Sequence, residues 1–396
     1  MKGYRQIVRE KKFVVHAGCK HFIYTRPCMY HKLYHAVCAG CKYFVPLKKC
    51  GKVHPENMKS VVKRDTNTVL IIKLGAKGDV LRTTFILRYL RKKCGRAVKI
   101  SWLVDKGNSG VLENNGLVNN VIHNTAGVTR ELLKYHWLEV INLDLDKKAV
   151  ALAGVLSTDK RVGFWLVDGE LRYSNNYAEY YLRMSYDDNL KKSNRRSYQQ
   201  IIAGIVGMET KKVNFHPIAV YNTKERKVFH KPNVVLAIGC GGVWGTKQWP
   251  VAAWEKVVCL LHKKYRDNID ITISGDKSDY AYARKIIEYS KKCGAGIISL
   301  VNRMTIPQLY ALIDNSSVVV ASDTLTAHVA YAFDKPVITL FGPTSSAEVE
   351  LGRYGKKIVA PLPCIVCYRR VCDKKPFCMD AIKPEVVFNQ IVRLLC

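Results

Sequence analysis

A carboxylate at the mouth of a glycine-bearing turn is the first feature of this chain that could do chemistry. In "LIIKLGAKGDVLRTT" (70–84) an apolar run reads as a strand. It stops at Gly75, turns through Gly78 to Asp79 and restarts as a helix. Gly75 and Gly78 let backbone approach a ligand closely, and open α/β sheets bind ligands beyond the carboxyl ends of their strands. The Gly75-x-x-Gly78-Asp79 spacing is not that of the dinucleotide fingerprint. Two roles suit Asp79. As an N-cap it would hold the first turn of the helix; as a general base it would take a proton in the crevice.

The second half of the chain carries two turns suited to an anion. "IGCGGVWGTKQWP" (238–250) is a glycine-rich strand-to-helix loop that ends in Thr246, Lys247 and Gln248. Glycine amides and one lysine at a helix start form a phosphate cradle. "SDTLTAHVAYAF" (322–333) is another strand end leading into a helix, with hydroxyls on Thr324 and Thr326. Asp323 could merely cap that helix, and His328 could be a satisfied core histidine. "LDLD" (143–146) places Asp144 and Asp146 two apart, as a divalent-cation pair or as a polar strand end.

Cysteine is the other reactive type. Of 14 cysteines, Cys19, Cys28, Cys38, Cys41 and Cys50 fall in the first 50 residues, and Cys364, Cys367, Cys372 and Cys378 fall near the end. C-x-x-C pairs in a cytoplasmic chain point to metal rather than to disulfides. The short N-terminal segment has little core of its own. Four thiolates, Cys19, Cys28, Cys38 and Cys41, around a structural Zn²⁺ would supply folding energy. An iron–sulfur cluster is the second choice for the same ligands. His31 and His35 are spare ligands, and reduced thiols packed beside the catalytic domain are the plain alternative. The later cluster could pack, bind metal or pair on oxidation.

These residues need elements to position them. Strands are expected at 68–74, 98–104, 138–145 and 161–167, with a helix over 80–93 and mainly helix over 174–209. After a linker around 211–232 the alternation restarts, with strands at 233–239, 270–275, 317–323 and 336–342. Helices are expected at 251–265, 279–292 and 305–315. Thr305, Pro307 and Gln308 form a helix-start signal. Strands alternating with helices mean parallel sheets covered on both faces. Two such units imply two doubly wound domains with a cleft between them.

The bulk properties bound the partners. Against 32 Asp and Glu, 64 Lys and Arg leave a net charge of +32, which favours polyanions such as nucleic acid, anionic headgroups or phosphorylated substrates. No apolar stretch reaches the roughly 20 residues of a membrane span. The basic N-terminus lacks the apolar run and cleavage site of a secretory leader, which predicts a cytoplasmic protein.

Several of these motifs occur in order: "VLIIKLGAKGDVLRTT", "TKQWP", "SDTLTAHVAYAF", "PVITLFGPTS" and "CIVCYRRVCDKKPFCMDAIKPEVV". Over roughly residues 68–395 the chain resembles the family 9 glycosyltransferases, whose type members are ADP-heptose:lipopolysaccharide heptosyltransferases. The resemblance implies a GT-B fold, two Rossmann-like domains facing across a cleft, preceded here by a small Cys-rich segment. The segment covers 1–66, the acceptor domain 67–225 and the nucleotide-sugar donor domain 226–396.

By the same resemblance Asp79 is the catalytic base and Lys247 the phosphate-contacting lysine. Thr246 joins the donor side. Thr324, Leu325 and Thr326 hold the donor diphosphate, and Asp323 and His328 frame that loop. The chain departs from the family pattern at Leu325, where glycine is usual, and at Gly239-Cys240-Gly241-Gly242, which replaces Pro-Gly-Ala. The implied reaction is an inverting sugar transfer from a donor such as ADP-heptose to a lipopolysaccharide core or related lipid-linked glycan, with no catalytic metal. It would take place at the cytoplasmic face of the inner membrane, in peripheral contact with anionic lipid and with no specific nucleic acid. Surrounding cations would keep Asp79 ionised for that role. The alternatives are a nucleotide-sugar epimerase on the same fold and a zinc-ribbon nucleic-acid-binding protein.

Overall fold

The computed structural model describes residues 63–64, 67–209, 214–222, 224, 229–242 and 244–395. Cys19, Cys28, Cys38, Cys41 and Cys50, with His31 and His35, lie outside the described residues, and so does nearly all of the 1–66 segment.

The first half of the chain runs β1 (Lys63–Arg64), β2 (Thr68–Ile72), α1 (Lys77–Thr83), α2 (Ile86–Cys94), β3 (Lys99–Val104), β4 (Asn120–His123), α3 (Val128–Leu132), β5 (Tyr135–Asn142), α4 (Lys147–Val155), β6 (Ser157–Val167), β7 (Glu170–Tyr173), α5 (Asn176–Tyr186), α6 (Asp188–Ser193) and α7 (Tyr198–Ile205). The second half runs β8 (Asn233–Ala237), α8 (Val251–Tyr265), β9 (Asp270–Ser274), α9 (Tyr280–Lys292), β10 (Ile298–Ser299), α10 (Ile306–Asp314), β11 (Val318–Ser322), α11 (Leu325–Ala332), β12 (Val337–Phe341), β13 (Gly355–Val359) and α12 (Pro384–Leu395).

Every residue of β2, β8, β11 and β12 is buried, so the continuous apolar runs read correctly as strands covered on both faces. The first sheet has the order β4-β3-β2-β5-β6-β7, with β1 beside β5, and the second the order β10-β9-β8-β11-β12-β13. The second sheet is parallel throughout; the first is parallel except for the β6–β7 hairpin at its edge. In each sheet the strand order reverses once, between β2 and β5 and between β8 and β11. A crevice opens at such a reversal, beyond the strand ends. The turns carrying Asp79, Asp144, Lys247 and Asp323 all follow these four strands.

Two sequence expectations change. The helix expected over 80–93 is two helices. Thr84 ends α1 by donating its hydroxyl to Leu81 O at 2.7 Å, and the same oxygen accepts from Ile218 N at 2.6 Å. That second partner is remote in sequence and pins the break. Strands β4, β7, β10 and β13 were not expected; they are short or edge strands with mostly half-exposed or exposed residues, so they lack an apolar run. The Thr305–Gln308 capping box with proline in the first turn forms as expected.

The two halves share a core. One apolar cluster joins Val69, Ile71 and Val80 to Tyr310, Val319 and Ala327. Tyr310 also donates its hydroxyl to Val111 O at 3.3 Å. Cys259 of α8 and Cys293, which follows α9, form a disulfide; this pair belongs to neither cysteine cluster read from the sequence.

Candidate active site

The turn after β2 is braced from β5. Asp144 accepts hydrogen bonds from Leu74 N, from Gly75 N at 3.1 Å and from Lys73 Nζ at 2.5 Å. Lys73 is 2% exposed, so its ammonium depends on this partner. Burial pushes Lys73 down, but Asp144, then Tyr198 and Asp79, outweigh that and raise it well above its usual value. Asn108 Nδ2 ties down Leu74 O at 2.8 Å and Gly75 O at 2.5 Å. Asp146 is spent elsewhere: it caps α4 through Lys148 N at 2.8 Å and Ala149 N at 3.4 Å. The Asp144/Asp146 pair is therefore the polar strand end, not a cation site. Gly75, counted among the loop residues, serves this brace through its N–H.

Asp79 is not the cap. The N-cap of α1 is Ala76, with no side-chain capping bond, and Asp79 lies in the first turn. A carboxylate there is favoured by the helix dipole. Its side chain is 37% exposed, and its Oδ1 meets Arg82 at 2.7 Å. Burial pushes the carboxyl up, but Arg82, followed by Lys73 and His328, holds it below its usual value. Arg82 in turn stacks 3.8 Å from the centre of the Tyr198 ring, a desolvated cation–π contact.

The facing wall comes from the second sheet. Lys247 Nζ donates to Asp323 O at 2.9 Å and to Asp323 Oδ2 at 3.1 Å. Burial pushes Asp323 up, yet Lys247, then His328 and Arg82, hold it far below the carboxylate range. His328 is buried, and its pKa drops to about 4 through burial and the Arg82 charge, against the pull of Asp323. It is therefore neutral near pH 7, and its 3.9 Å approach to Asp323 is not an ion pair. Thr324 is the N-cap residue of α11 without a side-chain capping bond, and its Oγ1 is buried without a partner among the described residues. The first-turn N–H groups of such a helix have no intrahelical acceptor.

The two walls meet closely. A Cβ on Gly78 would lie 3.0 Å from His328 Cδ2 and 3.6 Å from the Leu325 Cα. A side chain there would press on the His328 ring, because α1 and α11 touch. Between the walls lies a cavity of 1400 Å³, lined by Gly78, Asp79, Lys247, Asp323, Thr324, Leu325, Thr326 and His328. That is more than the several hundred cubic ångströms of an ordinary small-ligand pocket.

One donor-side expectation fails: Thr246 does not line the cavity, because its hydroxyl donates to Arg369 O at 2.7 Å. The structure adds lining residues the sequence reading missed: Arg82, Trp244, Glu348, Tyr368 and Arg370. Arg82 had a signal, three residues from Asp79 on one helix face. The others arrive on loops with no local pattern.

The later cysteines are free thiols, and Cys378 is buried. Its thiol is raised to about 11 by burial and then by Cys367, Cys372 and Cys364. It packs on the strand end at Gly342, where a Cβ would lie 2.6 Å from its Sγ. Among the described residues no three His, Cys, Asp or Glu side chains gather as a metal site, and Cys364, Cys367 and Cys372 are half-buried.

Two turns therefore face one another across the cavity, with a carboxylate on one and a lysine and a helix N-terminus on the other. The sequence pattern of glycosyltransferase family 9 (heptosyltransferase) matches residues 127–377. This chain belongs to glycosyltransferase family 9. Lipopolysaccharide heptosyltransferase 1 of Campylobacter coli is 21% identical over 354 residues, 82% of this chain and 98% of that protein. The solved ADP-heptose lipopolysaccharide heptosyltransferase II of Escherichia coli superposes with a TM-score of 0.63 at 16% identity, over 83% of this chain and 98% of that one. An Escherichia coli heptosyltransferase solved with ADP-2-deoxy-2-fluoro heptose gives a TM-score of 0.55 at 17% identity, over 82% and 99%. The fold they share is GT-B, the two facing α/β domains described above.

Proposed function

We propose that this family 9 glycosyltransferase moves a heptose from ADP-heptose to a lipopolysaccharide core or related lipid-linked glycan, with inversion at the anomeric carbon. The observation that carries the reading is the apposition of Asp79 and the Lys247–Asp323 pair across one cavity. Relatives named as lipopolysaccharide heptosyltransferases, one of them solved with an ADP-heptose analogue, support the choice of donor and acceptor.

In this reading Asp79 removes the proton from an acceptor hydroxyl. The acceptor oxygen attacks the anomeric carbon, the bond to the diphosphate breaks, and the nucleoside diphosphate leaves. Arg82 occupies Asp79 Oδ1, leaving Oδ2 for the proton. Negative charge grows on the departing diphosphate. Lys247 and the amides of 324–326 stabilise it from fixed positions, so no step calls on a catalytic metal. Leu325, in place of the usual glycine, meets the donor with its backbone at the helix start, where its side chain need not intervene.

The test is transfer from ADP-heptose to lipid-A-core acceptors by Asp79→Asn. That change keeps the size and removes the base. A fall in turnover on the order of a hundredfold or more is expected, with the thermal midpoint little changed. Wild-type turnover in the variant would remove Asp79 from the reaction.

A further inference from the structure

Glu348 follows the loop at the end of β12 and lines the same cavity as Asp79 and Asp323. Its Oε1 is shielded from solvent and has no hydrogen-bond partner among the described residues. The Tyr368 hydroxyl, which lines the same cavity, accepts from Ser345 N at 3.2 Å, and it draws the Glu348 carboxyl toward its charged form. Burial pushes the Glu348 carboxyl up, against the pull of Tyr368, Arg82 and Lys191. A buried carboxylate oxygen left without a donor is costly, and a ligand hydroxyl is a natural way to satisfy it.

The position narrows the ligand. Glu348 lines one cavity with Arg82, which meets the candidate base, and with Asp323, which holds Lys247. It thus lies near the reacting centre. The loop is also tied to the donor wall. Thr246, beside Lys247, bonds Arg369 O at 2.7 Å, and Tyr368 is the residue just before it. From the opposite domain Lys191 sits 4.5 Å over the Tyr368 ring. A group gripped from both sides of the cleft, and carried by the domain that holds the diphosphate, reads what the diphosphate carries.

We infer that Glu348, oriented by Tyr368, is a specificity-determining residue that accepts a hydrogen bond from a hydroxyl of the transferred sugar. The inference rests on the sugar-transfer reading. It adds the residue that distinguishes one sugar from another.

The test compares ADP with ADP-heptose as ligands of the full chain by calorimetry, in wild type, Glu348→Gln and Glu348→Ala. It needs no acceptor and no turnover. In wild type the sugar should tighten binding relative to ADP alone. Glu348→Ala should weaken ADP-heptose on the order of tenfold or more while ADP alone changes less than about twofold. Glu348→Gln keeps an acceptor oxygen and should fall between the two. Analogues lacking one sugar hydroxyl should locate the partner: one of them should bind Glu348→Ala as well as it binds wild type. Equal ADP-heptose affinity in all three proteins, or equal loss for ADP and ADP-heptose, would overturn the inference and leave the transferase reading standing. A wild type that binds neither ligand would sink both. Thermal midpoints of the variants show whether a loss is merely unfolding.

Discussion

At the level of single residues the question is how, in the proposed reaction, a carboxylate with a lowered pKa would serve as a base. Asp79 is held ionised by Arg82 and then Lys73 against the effect of burial; His328, neutral near pH 7, adds charge only in acid. The cost is weaker proton affinity; the gain is that the base is fully charged wherever the acceptor is neutral. Replacing Arg82 by Met removes the nearest cation, so the charged form of Asp79 loses its main support and its pKa rises. The acid limb of kcat/KM against pH should therefore move to higher pH in Arg82→Met. His328, with a pKa of about 4, also titrates in acid. His328→Gln separates the two groups: the limb should persist in that variant if it belongs to Asp79. An unmoved limb in Arg82→Met would show that Arg82 does not set the base.

Among elements, the β2 turn shows what a sequence can and cannot disclose. The strand, the two glycines and the carboxylate were legible because their pattern is local. The clamp was not. Asp144 reads as half of a possible cation pair, yet it satisfies two backbone N–H groups and the buried Lys73. The same limit explains Thr246, whose neighbours suggested a phosphate and whose hydroxyl finds Arg369 O instead. It also explains the break between α1 and α2, set by Ile218 N at 2.6 Å. Each depends on a partner more than about sixty residues away. Asp144→Asn keeps the shape and deletes the charge, leaving the Lys73 ammonium buried without its counter-ion. Breaking a buried pair from one side costs on the order of 3 kcal/mol, so urea unfolding should shift its midpoint down by that equivalent. Transfer should fall with it, because the turn that aims Asp79 loosens. An unchanged midpoint would mean that Lys73 finds another partner.

Across the whole molecule the charge is still unexplained by the site. Five lysines and arginines around one cavity account for little of a net +32. Among the described residues no helix is long and apolar enough to cross a membrane. In the proposed reaction a lipid-linked acceptor must reach the cleft, and a basic segment lies beside it. Residues 191–196 read Lys-Lys-Ser-Asn-Arg-Arg, with Lys192, Arg195 and Arg196 exposed, and Lys191 reaches Tyr368 at the cleft wall. Exposed lysines and arginines near an anionic surface each add about 1 kcal/mol of attraction, lost within a Debye length as salt rises. The full chain should therefore co-sediment with phosphatidylglycerol-rich vesicles at low salt and release from them as salt rises. Reversing Lys192 and Arg195 to Glu should weaken that binding severalfold and leave the affinity for ADP unchanged, since neither residue lines the cavity. Equal binding to neutral phosphatidylcholine vesicles, or indifference to the double reversal, would locate the membrane contact elsewhere or deny it.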